Sequence, residues 1–421
     1  MDKLVIRGQN PLSGPITVSG AKNAALPVMA ACLLVGDPVR ITNVPAIKDV
    51  ETMANLLRRM GVDVKETGDE VVIDASKVNG TEAPYELVRT MRASIMVLGP
   101  LLARFGRARV SMPGGCAIGT RPIDFHLKGL AAMGADISIV GGYVEAKTTG
   151  TGLRGARIAL EFPSMTATEN IMMAASLADG TTVISNAARE PEITNLGDIL
   201  RSMGAGVEGD GSGVVTVVGR RSLSGCHHRL IPDRIEAGTW LLLSLLSGCK
   251  IPVRGAHRAD LQALEAALFD AGAGIEEKAG ALHVSCPGRL RATDVTTQPY
   301  PGFPTDMQAQ WMVLMCHAEG TSVIRETIFE NRFQHVPELV RMGADITVRG
   351  NTAVVKGVKS LKGAPIMVSD LRAGITLVLA GLAAEGETEV RRIYHLDRGY
   401  ERLVAKLTAV GADIRRVPQS A

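Results

Sequence analysis

Met133-Gly134-Ala135-Asp136-Ile137-Ser138-Ile139-Val140-Gly141-Gly142-Tyr143-Val144-Glu145-Ala146 holds, in order, the end of a helix, a tight turn, a strand, a two-glycine reversal and a second strand. Its first four residues recur along the chain as Met60-Gly61-Val62-Asp63, Met203-Gly204-Ala205-Gly206, Ala271-Gly272-Ala273-Gly274, Met342-Gly343-Ala344-Asp345 and Val410-Gly411-Ala412-Asp413. The glycines stand 73, 70, 68, 71 and 68 residues apart. A second ruler is the glycine that closes an apolar helix before a β-rich run: Gly36, Gly106, Gly180, Gly248, Gly320 and Gly386, spaced 70, 74, 68, 72 and 66. Two rulers give six units, a period too long for a solenoid step.

Within each unit the pattern reads as an apolar helix, a strand, an amphipathic helix and two strands. Val50, Met53, Leu56, Leu57 and Met60 recur at helical spacing, as do Ile193, Leu196, Ile199, Leu200 and Met203, and a glycine stops each run. The Gly141-Gly142 pair predicts a hairpin. The first helix of a unit is apolar on nearly every side, so it should be buried all round, with sheets outside. A chain of 421 residues at about 150 per domain suggests two or three domains, and six units divide most simply into two groups of three.

Composition narrows the function. Apolar residues make up 46% and charged residues 21%, enough for a large core, while aromatics are only 3%, too few for a platform that stacks single-stranded nucleic acid. The formal charge of +3 is too weak to indicate DNA or RNA binding. Apolar runs such as Trp240 to Leu246 fall short of the roughly 18 residues of a membrane span, and Met1 to Arg7 lacks the apolar stretch of a signal peptide. A cytoplasmic protein without membrane insertion is expected. The six cysteines at 32, 116, 226, 249, 286 and 316 show no metal spacing and are expected as free thiols, Cys32, Cys249 and Cys316 as small core residues. His227-His228 reads as a solvated surface pair.

The apolar helices carry polar residues in their first turns: Lys22-Asn23, Arg92, Thr168-Glu169-Asn170, Arg234 and Glu236, Asp306 and Gln308, and Arg372. Routine capping accounts for Thr168, Asp306 and Asn23. It does not account for Lys22, Arg92 and Arg372, because a cation opposes the helix dipole at that end and needs an anionic partner. Met112-Pro113-Gly114-Gly115-Cys116-Ala117-Ile118-Gly119-Thr120-Arg121-Pro122 predicts a loop in which Arg121, with Arg107 and Arg109 upstream, favours a reactive Cys116 thiolate. Tyr300 to Gln310 predicts an extended arm ending at Thr305, a candidate cap, with Asp306 either an ordinary first-turn carboxylate or a general base. Arg398 precedes Gly399 in a turn near the last helix.

Six ordered segments resemble the UDP-N-acetylglucosamine 1-carboxyvinyltransferase family of enolpyruvyl transferases: Gly20-Ala21-Lys22-Asn23-Ala24, Thr90-Met91-Arg92-Ala93-Ser94, Pro113 to Arg121, Tyr300 to Gln310, Phe329-Glu330-Asn331-Arg332 and His395-Leu396-Asp397-Arg398-Gly399. The resemblance implies an α/β fold, an inside-out α/β barrel of two domains with three βαβαββ units each, residues 22–229 forming one and 1–21 with 230–421 the other, and the active site between them. It implies transfer of the enolpyruvyl group of phosphoenolpyruvate to the 3′-hydroxyl of UDP-N-acetylglucosamine, releasing phosphate at the first committed step of peptidoglycan synthesis, with no metal or organic cofactor. Cys116 would be the general acid, open to a covalent adduct and to fosfomycin, and Asp306 would take the sugar hydroxyl proton. Lys22, Arg121 and Arg398 would hold phosphoenolpyruvate, with Arg332 and Arg372 nearby, and Asn23 would bridge both substrates. Arg92, Arg121, Pro122, Ile123, Asp124, Phe125, Ser164, Met165 and Ile328 would line the nucleotide-sugar site.

One segment departs from the family. Many members read Ser-Val-Gly-Ala-Thr-Glu-Asn where this chain reads Ser164-Met165-Thr166-Ala167-Thr168-Glu169-Asn170, so Thr166 adds a side chain where backbone approaches the diphosphate. Two other expectations stand beside the main one: the sister transferase acting on shikimate 3-phosphate, and a non-catalytic homologue that binds a nucleotide-sugar.

Overall fold

The computed structural model describes residues 2–112, 123–150 and 152–418; the Cys116 loop, with Arg121 and Pro122, lies outside the described residues. The chain is mixed α/β and divides into two compact units, residues 2–19 with 232–418 and residues 20–112 with 123–231. Each has its own hydrophobic core.

The unit of residues 20–112 and 123–231 contains three four-stranded sheets among the described residues. In one, Arg157–Ala159 runs parallel to Thr181–Ser185, which pairs antiparallel with Val214–Val218, which pairs antiparallel with Gly206–Glu208. Between these strands come the helices Met165–Ala175 and Pro191–Ser202, giving β-α-β-α-β-β. A second sheet repeats the pattern with Glu82–Ala83, Arg107–Ser111, Tyr143–Thr148 and Ala135–Val140. In the third, the late strand His227–Arg229 supplies the parallel partner of Val39–Thr42, so the end of the unit returns to its start.

The unit of residues 2–19 and 232–418 is built the same way, with the N-terminal segment serving two sheets. Ile16–Thr17 runs parallel to Val253–Arg254. Asp2–Arg7 lies between Glu387–Arg391 and Asp413–Pro418, antiparallel to both. The helices Arg234–Ser247, Gln308–Cys316 and Leu371–Ala383 are buried along nearly their whole length.

Local chemistry accounts for the elements. Lys48–Arg59 buries Val50, Met53, Leu56 and Leu57, with Asp49 and Glu51 in the first turn and Arg58 and Arg59 in the last, charges that complement the dipole. Gly141 and Gly142 sit at φ 56 and φ 80 between Val140 and Tyr143, the two left-handed residues a tight hairpin requires. Gly106 and Gly248 end their helices in the left-handed conformation. Gly180, Gly320 and Gly386 are also left-handed, but they lie in the turns that enter the next strands.

Several sequence expectations are corrected. Gly36 does follow the end of its helix, which tightens into the 3-10 turn Cys32–Leu34, but it is not left-handed there: Arg104 Nη1 donates to the Leu33 and Val35 carbonyls at that helix end at 2.9 and 2.7 Å, and to the Ala75 carbonyl at 3.1 Å. Ser164, not Thr168, caps Met165–Ala175, and Thr168 Oγ1 instead accepts from Ala188 N at 3.1 Å. Asn23 lies inside the helix Lys22–Ala31, whose cap Ala21 has no side-chain acceptor. Thr305 opens a 3-10 turn, Thr305–Met307, and donates its hydroxyl to Glu326 Oε2 at 2.9 Å. His228 is buried, because alternation along His227–Arg229 turns it inward while His227 faces out, and its Nε2 meets Asn195 Nδ2 at 3.0 Å. Cys32 and Cys316 are core residues, whereas Cys249 is half-buried and accepts from Leu12 N through its sulfur.

Candidate active site

In the unit of residues 2–19 and 232–418, three predicted site residues meet. Asp306 Oδ1 accepts from Arg332 Nη2 and Oδ2 from Arg372 Nη2, both at 2.8 Å. The two arginine side chains are 4% and 7% exposed and that of Asp306 is 26% exposed, so the carboxylate is the part that reaches outward. Burial opposes the charge on Arg372, but Asp306 leads the groups that outweigh it and hold its pKa above the ordinary value. Arg372 opens the helix Leu371–Ala383, where Asp370 Oδ1 accepts from Arg372 N at 2.9 Å and Ala373 N at 3.0 Å.

The arm that carries Asp306 is fixed by a residue without an evident sequence signal. Glu326, buried at the end of Thr321–Arg325, accepts the Thr305 and Thr297 hydroxyls at 2.9 Å each, and its Oε1 also accepts from Ile328 N at 2.8 Å and Phe329 N at 3.2 Å. One carboxylate therefore ties the residue before Asp306 to the Ile328 segment. Arg398 ends the 3-10 turn Ile393–Arg398 and is half-buried.

In the other unit, Lys22 opens a buried helix and its ammonium lies 3.3 Å from Asp49 Oδ2, with the two side chains 14% and 4% exposed. Both Lys22 and Arg372, cations at the start of a helix, thus have a protein carboxylate as partner. Arg92 opens the 3-10 turn Arg92–Val97, and its charge adds to burial in pushing His126 down to about 3. Ile123 is the buried cap of Asp124–Ala132; Asp124 and Phe125 are half-buried, with Lys128 Nζ 5.9 Å from the Phe125 ring centre. Ser164 Oγ accepts from Ala167 N at 3.4 Å, and Met165 follows as the first helical residue.

Thr166, half-buried, meets a buried His126–Asn170 pair. Its Oγ1 lies 3.1 Å from His126 Nε2, and His126 Nδ1 lies 3.0 Å from Asn170 Nδ2. Asn170 is oriented by Gly99 N, which donates to its Oδ1 at 2.7 Å, and by the Ile95 carbonyl, which accepts from Nδ2 at 3.1 Å. Beside it, burial, with Glu192 and Glu190 nearby, holds the Glu169 carboxyl well above its usual range. Among the described residues no group of three or more His, Cys, Asp or Glu side chains is placed to hold a metal, and no helix is long and apolar enough to cross a membrane.

The chain from residue 6 to 407 matches the family model of EPSP synthase, 3-phosphoshikimate 1-carboxyvinyltransferase. It is 56% identical over 417 residues to the UDP-N-acetylglucosamine 1-carboxyvinyltransferase of Acidiphilium cryptum, covering 99% of this chain and 100% of that one. It is 54% identical over 419 residues to the enzyme of the same name from Trichlorobacter lovleyi, covering 100% of both. Among solved structures, the enolpyruvyl transferase NikO from Streptomyces tendae superposes with a TM-score of 0.90 at 28% identity, over 100% of this chain and 99% of that one.

Proposed function

The chain belongs to the EPSP synthase family and, within it, to the UDP-N-acetylglucosamine 1-carboxyvinyltransferases; from that membership we propose how its residues carry the enolpyruvyl transfer. Phosphoenolpyruvate is the donor, the 3′-hydroxyl of UDP-N-acetylglucosamine is the acceptor and phosphate is released, the first committed step of peptidoglycan synthesis. Cys116 gives a proton to the methylene carbon of phosphoenolpyruvate. The sugar oxygen bonds to the adjacent carbon as its proton passes to Asp306. The tetrahedral adduct then loses phosphate and returns one methyl proton to the Cys116 thiolate, which leaves the enol ether and a protonated Cys116. This chemistry calls for no metal or organic cofactor.

The observation that carries the proposal is the Asp306 carboxylate fixed between two buried guanidiniums. A base is thereby held in place next to cations that suit the carboxylate and phosphate of the donor. Lys22, Arg121 and Arg398 bind the donor, and Asn23 bridges it to the acceptor. Arg92, the segment from Arg121 to Phe125, Ser164, Met165 and Ile328 line the acceptor site. Together the substrates carry roughly five negative charges, which concentrated arginines answer in a chain of nearly balanced charge. The architecture proposed with this function is an inside-out α/β barrel in each domain, supported by helices buried on every side, and the place of action is the cytoplasm.

Phosphate release tests it. The chain incubated with phosphoenolpyruvate and UDP-N-acetylglucosamine should liberate phosphate, and shikimate 3-phosphate in place of the nucleotide-sugar should not support release. Binding of the nucleotide-sugar without release would instead identify a non-catalytic homologue.

A further inference from the structure

Asp306 is held by its main chain as well as by its carboxylate, and the two holds join. Arg372, which grips Oδ2 through Nη2, donates through Nη1 to the Tyr400 hydroxyl at 3.3 Å. That hydroxyl lies 3.0 Å from Thr239 Oγ1. Thr239 spends its own proton on the Ile235 carbonyl at 2.7 Å and accepts from Gln310 Nε2 at 3.5 Å. The direction of the remaining bond follows: Tyr400 donates to Thr239, and its oxygen accepts from Arg372. Gln310 Nε2 also donates to the Asp306 carbonyl at 2.9 Å, which closes the circuit.

Each of the three buried helices contributes one member: Thr239 from Arg234–Ser247, Gln310 from Gln308–Cys316 and Arg372 from Leu371–Ala383. Tyr400 completes it from outside them, its ring edge-on to Trp240 with centroids 6.1 Å apart. Thr239, Gln310, Arg372 and Tyr400 are all buried, and Asp306 alone is accessible. Burial pushes the Tyr400 phenol up to about 12, so it keeps its proton near neutrality.

We propose that Tyr400, Thr239 and Gln310 are positioning residues that orient Asp306 through this closed hydrogen-bond circuit, an inference that rests on Asp306 acting as the base in the transfer proposed above. All three are buried, so they act through Asp306 and Arg372 rather than at the surface. Opening the circuit at any point frees Arg372 or the Asp306 main chain to turn, so the carboxylate meets the sugar hydroxyl less often in productive geometry.

The test is steady-state phosphate release by the full chain with phosphoenolpyruvate and UDP-N-acetylglucosamine, for Tyr400→Phe, Thr239→Val and the double variant. Thermal melting corrects each rate for the folded fraction. Each single variant should lose about tenfold in kcat with KM unchanged for both substrates. The double variant should fall no further than the worse single one, because a circuit opens only once. Unchanged kcat in the singles, a rise in KM alone, or losses that multiply in the double variant would overturn the circuit while leaving the transferase intact. No release by the unsubstituted chain would overturn the transferase, and the circuit's role with it.

Discussion

Asn170 Nδ2 stands 3.0 Å from His126 Nδ1, and because Asn170 is locked by Gly99 N and the Ile95 carbonyl it can only donate there. His126 is thereby the neutral tautomer with its proton on Nε2, which it donates to Thr166 Oγ1. Nitrogen-15 spectra of the imidazole should show that tautomer from pH 8 down to pH 5. A ring that titrates near its ordinary 6.5 would refute the assignment.

The same burial makes stability depend on pH. His126 and His335 are pushed down to about 3 and about 4, burial being the main cause in both, so the unfolded chain takes up a proton below about pH 6.5 and the folded chain does not. Stability is therefore full above that pH and falls as the pH drops through the window, by about 1.4 kcal/mol per pH unit for each such histidine. In urea melts at pH 7 and pH 5, His126→Gln should lose less stability between the two pH values than the parent chain. Equal losses would count against a buried neutral His126.

Gly99 has no room for a side chain. A Cβ there would lie 2.4 Å from both the main-chain and side-chain oxygens of Asn170. Gly99→Ala should destabilise the fold by about 1–3 kcal/mol, read as a lower urea midpoint, and should also release the His126 tautomer.

Asp306→Ala leaves Arg332 and Arg372 buried without their shared counter-charge. Stability should fall by about 3–5 kcal/mol. Asp306→Asn keeps the shape but removes the proposed base, and kcat for phosphate release should fall about 10²-fold to 10⁴-fold. An Asn variant with parental kcat would remove Asp306 from the mechanism.

Cys116 makes a separate chemical prediction. Its thiolate should open the epoxide of fosfomycin, so the intact mass of the treated chain should rise by one adduct, and Cys116→Ser should show no rise. An unchanged mass for the parent chain would exclude a reactive thiol there.

What could be read in advance was what local spacing encodes. The glycines at 61, 134, 204, 272, 343 and 411 mark the end of an amphipathic helix because the left-handed turn each makes is a local requirement, and all six have φ between 88° and 105°. Gly36 also stands at a helix end, but without a left-handed turn, because Arg104, distant in sequence, donates to the carbonyls there. The cations at helix starts signalled a missing anion, but the spacing gave no hint that Asp49 and Asp306 supply it within the chain. Glu326 and Tyr400 were silent because the side chains they meet, Thr297 and Thr305 for Glu326 and Thr239 and Arg372 for Tyr400, come from segments that only folding brings together. His228 looked solvated because a dipeptide shows neither which way its strand alternates nor that Asn195 waits on the other side.

The pairing of Asp2–Arg7 with Glu387–Arg391 and Asp413–Pro418 has a consequence for how the chain is made. At roughly 5–20 residues per second, that first strand leaves the ribosome some 20–80 s before its last partner exists. Among the described residues, by contrast, every sheet strand between 20 and 231 finds its partners within that range, so this unit can fold during translation. The opening strand must spend the interval unpaired, and its short apolar run, Leu4-Val5-Ile6, is flanked by Asp2, Lys3 and Arg7, charges that discourage pairing with another nascent copy while it waits.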